Sequence, residues 1–165
     1  MNWDIQLFKL NFDEKEPAAV SAVVNNGWLS MGEKILEFEN SFSDLLGEGV
    51  LCSGVTNCTA ALHLALLALG VDREDEVIIP ALTFVADANV VNIVGAIPVI
   101  ADCTSIDDWN MSVESIDAKI TERTKAVIVV HYAGYPCKDI GEIAELCKER
   151  GIGLIEDVAH APGAS

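Results

Sequence analysis

The sequence predicts an α/β fold in which a doubly wound, mostly parallel sheet lies between two layers of helices. Strand-like and helix-like segments alternate at least four times along the chain. The strand-like runs are continuously apolar rather than alternating, which is typical of parallel strands covered on both faces. Two helices precede the first of these units, so we expect a three-layer α/β/α arrangement preceded by two helices.

Helices are predicted from apolar side chains at a spacing of three to four residues and from the glycines that end them. Residues 14–26 form an amphipathic segment, and residues 33–46 form a second one that ends at Gly47. Residues 58–70 are strongly apolar and end at Gly70. Further helices are predicted over residues 84–95, 112–120 and 139–151.

Strands are predicted where short apolar runs lie between these helices. They cover residues 49–54, 76–80, 97–102, 125–134 and 152–157. In a doubly wound sheet, ligands bind at the carboxyl ends of the strands. We therefore look for functional side chains directly after each run, at residues 53–59, 80–84, 102, 131–134 and 157–160.

Composition and charge exclude several classes of function. The formal net charge of −16 repels polyphosphate backbones, so we expect no nucleic-acid binding. No apolar run is long enough to span a bilayer, and the N-terminus has no basic segment followed by an apolar one, so we expect neither a membrane nor a secreted protein. Five cysteines without a CxxC pair predict reduced thiols and a cytoplasmic location.

The stretch SGVTNCTAALHLAL places a polar turn at the start of a helix, near Asn57–Thr59. Free N–H groups and the helix dipole make such a start a natural anion site, and the Thr59 hydroxyl adds a donor. An ordinary helix cap explains the same residues when the stretch is taken alone. Phe84, in PALTFVADAN, follows the next strand and is either a ring that lies flat on a planar ligand or a core aromatic.

The stretch LIEDVAHA is the most informative one. A carboxylate at the tip of a buried strand needs a cation or hydrogen-bond donors, and for Asp157 a protonated pyridine nitrogen is one such cation. His160 follows in the same turn and is placed to contact a ring substituent. Helix capping, a magnesium site shared with Asp102, and a structural histidine remain open alternatives. His131 and Asp102 are interpreted as structural or supporting residues.

Five stretches occur in one order: GWLSMGEKILEFENSF, TNCTAALHLALLALG, DEVIIPALTFVADANVVNIVGAIPVIAD, TERTKAVIVVHYAGYPCKDI and GLIEDVAHAPGAS. Together they resemble the pyridoxal-phosphate-dependent sugar aminotransferases of the DegT–DnrJ–StrS group, a branch of the aspartate aminotransferase fold (fold type I). The resemblance covers nearly the whole chain. It implies that residues 1–165 are the N-terminal part of the large domain of such an enzyme.

The resemblance also implies roles for single residues. The Thr59 side chain and the backbone of Cys58 and Ala60 would hold the cofactor phosphate. Phe84 would stack on the pyridine ring and Asp157 would pair with its nitrogen. His160 stands where the family usually has glutamine and would contact the phenolic oxygen of the cofactor. HYAG at 131–134 departs from the usual pattern of two large residues before the glycine.

The family's Schiff-base lysine is expected a few tens of residues after the acid, but no lysine follows Asp157 here. We therefore expect a catalytically inactive N-terminal segment of a larger enzyme, with an exposed sheet edge that favours self-association. The parent would transfer an amino group from glutamate or glutamine to a nucleotide-linked keto-deoxysugar and would be a homo-oligomer. A dehydratase of the same family, or an acidic α/β module that only binds a partner, remains an alternative.

Overall fold

The computed structural model describes residues 9–164 of the chain. Residues 1–8, over which the sequence predicts no leader peptide, and residue 165 lie outside that range. The chain divides into two compact units, the first ending at Gly54 and the second beginning at Val55.

The first unit contains two helices, α1 (Lys15–Asn26) and α2 (Glu33–Leu46), as the sequence predicts. Gly27 ends α1 with a φ of 77°, a left-handed conformation that glycine adopts without strain. The indole N–H of Trp28 donates to the Met31 carbonyl at 2.8 Å and closes the turn between the helices. Neither helix contains a buried residue, and most of their large apolar side chains are exposed.

The second unit is built on a four-stranded parallel sheet with the strand order β2-β1-β3-β4. Its strands are β1 (Glu76–Pro80), β2 (Ile97–Ala101), β3 (Thr124–Val130) and β4 (Gly153–Asp157). All of β1 and the last five residues of β3 are buried, whereas β2 and β4 at the edges are only partly covered. The continuous apolar runs in the sequence are therefore explained by burial on both faces of the central strands.

Four helices cover the two faces of the sheet: α3 (Cys58–Ala68), α4 (Ala86–Val94), α5 (Val113–Asp117) and α6 (Ile140–Arg150). Helices α3 and α4 pack on one face through a core that includes Leu66 and Val90. Helices α5 and α6 pack on the other face through Ile116 and Ile143. This confirms the predicted three-layer α/β/α fold. In the part of the chain that the structure describes, no helix is long and apolar enough to cross a membrane.

Two predicted strands differ from the structure. Residues 49–54 form no strand, because a strand needs a neighbour for its N–H and C=O groups and none of the four strands pairs with this segment. The Gly54 N–H instead donates to the Glu39 carboxylate at 2.7 Å. The run 125–134 is strand only to Val130, after which residues 132–134 form a single 3₁₀ turn.

The packing of α3 on the sheet yields a test of the core. Leu66 is fully buried, whereas Leu64 on the same helix is 52% exposed. Leu66→Ala is expected to lower the free energy of unfolding by about 2–5 kcal/mol, since it removes apolar contacts and leaves a cavity. Leu64→Ala is the matched control, expected to change it by less than about 1 kcal/mol. Urea denaturation measures both, and equal effects would contradict the packing described for α3.

Candidate functional site

The carboxyl ends of β3 and β4, the start of α3 and the start of α4 enclose one cleft of about 330 Å³. This volume is at the lower end of the range of small-molecule sites. Its lining contains five of the six side chains predicted from the sequence, together with apolar and aromatic neighbours. The lining residues are Asn57, Cys58, Thr59, Leu62, Phe84, Ala86, Val130, Tyr132, Asp157, Ala159 and His160. We call this the strand-end cleft.

A larger cleft, of about 780 Å³, lies in the first unit between α1 and α2. It is lined by the end of α1, by the turn around Trp28 and by the start of α2. None of the predicted site residues belongs to it. The chemistry-bearing groups therefore converge in the smaller strand-end cleft.

One end of the strand-end cleft is formed by the start of α3. Asn57 caps this helix, because its Oδ1 accepts a hydrogen bond from the Ala60 N–H at 2.9 Å. The N–H groups of Cys58 and Thr59 have no acceptor among residues 9–164. Two backbone donors at the positive end of a helix therefore remain available for an anion.

Ala60, the third backbone donor that the resemblance implies, differs from Cys58 and Thr59. Its N–H is already engaged by Asn57, and it is absent from the lining of the cleft. A third orphan N–H at a helix start is commonly satisfied by the cap residue, which accounts for the difference. The geometry therefore assigns the free donors to Cys58 and Thr59 and does not support a direct contact by Ala60.

Asp157 is the last residue of β4 and is only 7% exposed. Its Oδ1 accepts hydrogen bonds from the Ala159 N–H at 2.8 Å and from the Cys58 thiol at 3.5 Å. Its Oδ2 has no hydrogen-bond partner in the described residues and is not a fully buried atom. The carboxylate is thus held in place through one oxygen, while the other is left for a ligand.

The Cys58 thiol lies between the helix start and this carboxylate. Partial burial, followed by the negative charge of Asp157 and their hydrogen bond, raises the pKa of Cys58 to about 11. The thiol therefore remains protonated at neutral pH and acts as a weak donor. Its place at the start of α3 is one where a thiolate would normally be favoured, so burial and the nearby acid together outweigh the helix dipole.

His160 follows β4 and lines the same cleft. Its Nδ1 accepts a hydrogen bond from the Ala133 N–H at 3.3 Å, so neutral His160 carries its proton on Nε2. Its ring contacts Tyr132 edge-on, with centroids 6.1 Å apart. Nε2–H is therefore the ring group of His160 that remains available, and it is a donor.

Phe84 lies in the segment between β1 and α4 and is 66% exposed. Its ring is part of the cleft lining rather than of the core. The core interpretation of this residue is therefore wrong. An exposed aromatic ring beside a buried acid is a suitable surface for a flat heterocycle.

His131 and Asp102 lie outside the cleft lining. The Cys137 N–H donates to His131 Nδ1 at 2.9 Å, so the proton of the neutral ring is on Nε2, which lies 3.0 Å from Glu156. Asp102 follows β2, three strand positions away from β4 and hence roughly 14 Å from Asp157. One magnesium ion cannot bridge these two acids, and within residues 9–164 no three metal-ligating side chains converge.

Sequence reasoning missed Asp87, which is fully buried in the first turn of α4. The Thr83 hydroxyl donates to its Oδ2, and its Oδ1 is buried without a partner. Burial, and then the charge of Asp157, raise the pKa of Asp87 to about 6, against the opposing effect of the Thr83 hydrogen bond. Helical spacing indicates this burial, because Asp87 precedes the buried Val90 and Val91 by three and four residues and so lies on the same face of the helix.

With this geometry established, the chain can be compared with known proteins. The sequence matches the DegT/DnrJ/EryC1/StrS aminotransferase family over residues 11–165. The chain belongs to this family. The resemblance drawn from the motifs is thereby confirmed, and the α/β sheet is that of the fold-type-I aminotransferases.

Three relatives show how far the similarity of this chain extends. GDP-perosamine synthase of Escherichia coli O157:H7 is 41% identical over 161 residues, which cover 97% of this chain and 43% of that protein. The aminotransferase TlmJ from Streptoalloteichus hindustanus is 40% identical with a TM-score of 0.86, covering 97% and 43% of the two chains. The putative sugar aminotransferase Spr1654 from Streptococcus pneumoniae, in its PLP form, is 29% identical with a TM-score of 0.84, covering 96% and 44%. The chain thus spans about two fifths of the length of these relatives.

The Cys58 environment in this family member predicts a reactivity. A thiol pKa of about 11 leaves roughly one thiolate per thousand at pH 8, and only the thiolate reacts with iodoacetamide. Asp157→Asn removes a charge that raises this pKa, so alkylation of Cys58 should become roughly threefold to tenfold faster. Peptide mass spectrometry measures the rate, with Asp102→Asn as a control that leaves it unchanged. An unaltered rate in Asp157→Asn would show that the two groups do not interact.

The Asp87 environment predicts a pH dependence of stability. Its pKa rises from 3.8 in the unfolded chain to about 6 in the fold, so folding loses stability as pH rises from about 4 to about 6. Asp87→Asn removes this loss. Relative to the unsubstituted chain it should therefore gain stability with rising pH, by about 3 kcal/mol at most above pH 6. Urea denaturation at pH 4.5 and 7.5 measures the difference. Asp102→Asn, an exposed acid, is the control, and an Asp87→Asn difference that does not change with pH would refute the assignment.

Proposed function

We propose that the strand-end cleft is the pyridoxal-phosphate site of an aminotransferase, of which this chain forms the cofactor-binding part. One observation carries the proposal: unpaired helix N–H groups and a buried carboxylate with a free oxygen line the same cleft of about 330 Å³. Pyridoxal phosphate has an anionic tail and a basic ring nitrogen, which match these two features. The described neighbour Spr1654 is known in PLP and PMP forms.

The start of α3 would hold the phosphate. The N–H groups of Cys58 and Thr59 have no acceptor in the described chain, and the Thr59 hydroxyl adds a third donor. The positive end of the helix dipole favours the dianion even in a chain with a net charge of −16. Cys58 would contribute only its backbone, since its thiol is directed to Asp157.

Asp157 would pair with the ring nitrogen through Oδ2. A carboxylate in this buried position stabilises a protonated nitrogen, because opposite charges attract strongly where water is excluded. When bound, the protonated cofactor supplies an electron sink for carbanion chemistry. The hydrogen bonds from Ala159 and Cys58 to Oδ1 would orient the carboxylate for this contact.

Two further side chains would position the ring. Phe84 would cover one face with its exposed aromatic surface. His160 would donate from Nε2 to the phenolic oxygen, because the Ala133 N–H occupies its Nδ1. An amide at this place, as is usual in the family, would supply an equivalent donor.

For the whole protein we propose transfer of an amino group from glutamate or glutamine to a nucleotide-linked keto-deoxysugar. Support comes from the relative named GDP-perosamine synthase and from the neighbour described as a sugar aminotransferase. The chain alone, in which no lysine follows Asp157, would bind cofactor without turnover. A cytoplasmic location and self-association complete the proposal, the latter supported by the exposed apolar side chains of α1 and α2.

Cofactor binding tests this proposal directly. The chain should bind pyridoxal phosphate and pyridoxamine phosphate non-covalently. Asp157→Asn and Thr59→Ala should each weaken binding by roughly tenfold, since each removes a charged or charge-assisted contact. Cofactor absorbance and fluorescence measure the affinity, and Asp102→Asn, outside the cleft, should leave it unchanged.

Two results would contradict the proposal. One is the absence of any saturable binding to the unsubstituted chain. The other is binding that survives both Asp157→Asn and Thr59→Ala, because the ligand would then occupy another site.

A further inference from the structure

Asp87 is the one acid in the described chain with a buried oxygen that lacks a hydrogen-bond partner. It lies in the first turn of α4, fully buried, and two residues that precede it in the chain, Phe84 and Ala86, line the strand-end cleft. The Thr83 hydroxyl fixes its Oδ2. Burying an acid with one unsatisfied oxygen lowers the stability of the fold. Such an unpaired buried group therefore calls for an explanation, and a role in a functional site is one.

Among residues 9–164, no cation contributes to the pKa shift of Asp87. The negative charge of Asp157, at the end of β4, acts on Asp87, and the charge of Asp87 acts on Cys58, at the start of α3, whose thiol stays protonated. The other titratable group of α3 is His63, which does not contribute to this shift. Of the strands packed on α4, β2 has no titratable side chain. The titratable side chain in β1 is Glu76. It lies at the opposite end of the sheet and forms an ion pair with Arg123. The two buried carboxyls, Asp87 and Asp157, therefore share a region without a positive charge to balance them.

We propose that Asp87 is a positioning residue that acts through Asp157: it is a second buried carboxyl whose negative charge strengthens the hold of Asp157 on a cationic ring nitrogen. This inference rests on the function proposed above. When the cleft holds no cation, repulsion between two ionised carboxylates makes Asp87 keep its proton to a higher pH than an isolated acid does. When a pyridinium ring is paired with Asp157, its charge offsets that repulsion and Asp87 releases its proton at a lower pH.

Binding of a ligand cation and ionisation of Asp87 are consequently linked. A ligand cation lowers the pKa of Asp87, and by the same coupling the ionised form of Asp87 binds the cation more tightly. Since the pKa of Asp87 without ligand is about 6, this gain is absent well below pH 6 and complete well above it. A residue that served only packing would affect binding equally at every pH.

The test is the affinity for pyridoxamine phosphate between pH 5 and 8, followed by its fluorescence. This ligand has no aldehyde and cannot form a Schiff base with lysines. The titration of its phosphate is common to all variants and cancels in their ratio. The unsubstituted chain and Asp87→Asn should bind alike at pH 5, and the unsubstituted chain should bind roughly fivefold more tightly at pH 8.

Thr83→Val supplies a second test, in which the pH profile should shift rather than disappear. The Thr83 hydrogen bond lowers the pKa of Asp87, so its loss should move the midpoint of the pH profile upward while the fivefold gain is still reached at higher pH. Asp102→Asn is the control, with a profile equal to that of the unsubstituted chain. These shifts are measured on the same chain and need no catalytic turnover.

The failures of the two proposals are distinguishable. If the unsubstituted chain binds the ligand and Asp157→Asn loses it, but the ratio to Asp87→Asn is constant from pH 5 to 8, the role of Asp87 is overturned and the proposed function stands. If the unsubstituted chain does not bind the ligand, the proposed function is overturned, and the role of Asp87 with it.

Discussion

The parallel pairing of β3 with its neighbours is the constraint on which the site depends. β3 pairs with β1 on one side and with β4 on the other, in a register that brings Val130 opposite Asp157. Because the three strands run in the same direction, their carboxyl ends meet at one edge of the sheet. The helix that opens beside them, α3, packs on the sheet through Leu62 and Leu66. Residues that are 99 positions apart in sequence, Cys58 and Asp157, are brought within hydrogen-bond distance as a result.

The electrostatics of the cleft follow from the same arrangement. The start of α3 is positive and the tip of β4 is negative, so one small cavity has opposite potentials at its two ends. Burial and the nearby acid together raise the pKa of the Cys58 thiol, whereas the backbone donors of Cys58 and Thr59 keep their preference for an anion. A ligand that is anionic at one end and cationic at the other satisfies both ends. A simple anion or a metal ion would satisfy only one.

Sequence reasoning identified the elements that depend on local pattern and missed those that depend on neighbours. Continuous apolar runs located the four strands of the sheet, and the polar turn located the start of α3 to within one residue. The run 49–54 has an apolar strand pattern too, but pairing decides whether a strand forms, and the sequence of a single segment does not show its partner. Asp87 was missed because a buried acid is rare and an acid early in a helix normally indicates a favourable dipole interaction. Whether a side-chain cap or a ligand engages the Ala60 N–H depends on the rotamer of Asn57, which the sequence does not show.

The turn after β3 shows how a local backbone conformation supports the site. Ala133 has a φ of 54°, an uncommon conformation for a residue with a side chain, and it costs about 1 kcal/mol or more. This conformation presents the Ala133 N–H to His160 Nδ1, while the His131 N–H donates to the Asp157 carbonyl at 3.1 Å. Gly134 follows with a φ of 87°, and a side chain there would approach the His160 carbonyl to 3.2 Å. The segment after β4 is therefore positioned by the turn that follows β3. In such an arrangement the tautomer of His160 is determined by a backbone group of that turn, which makes its Nε2 a donor without help from any acidic side chain.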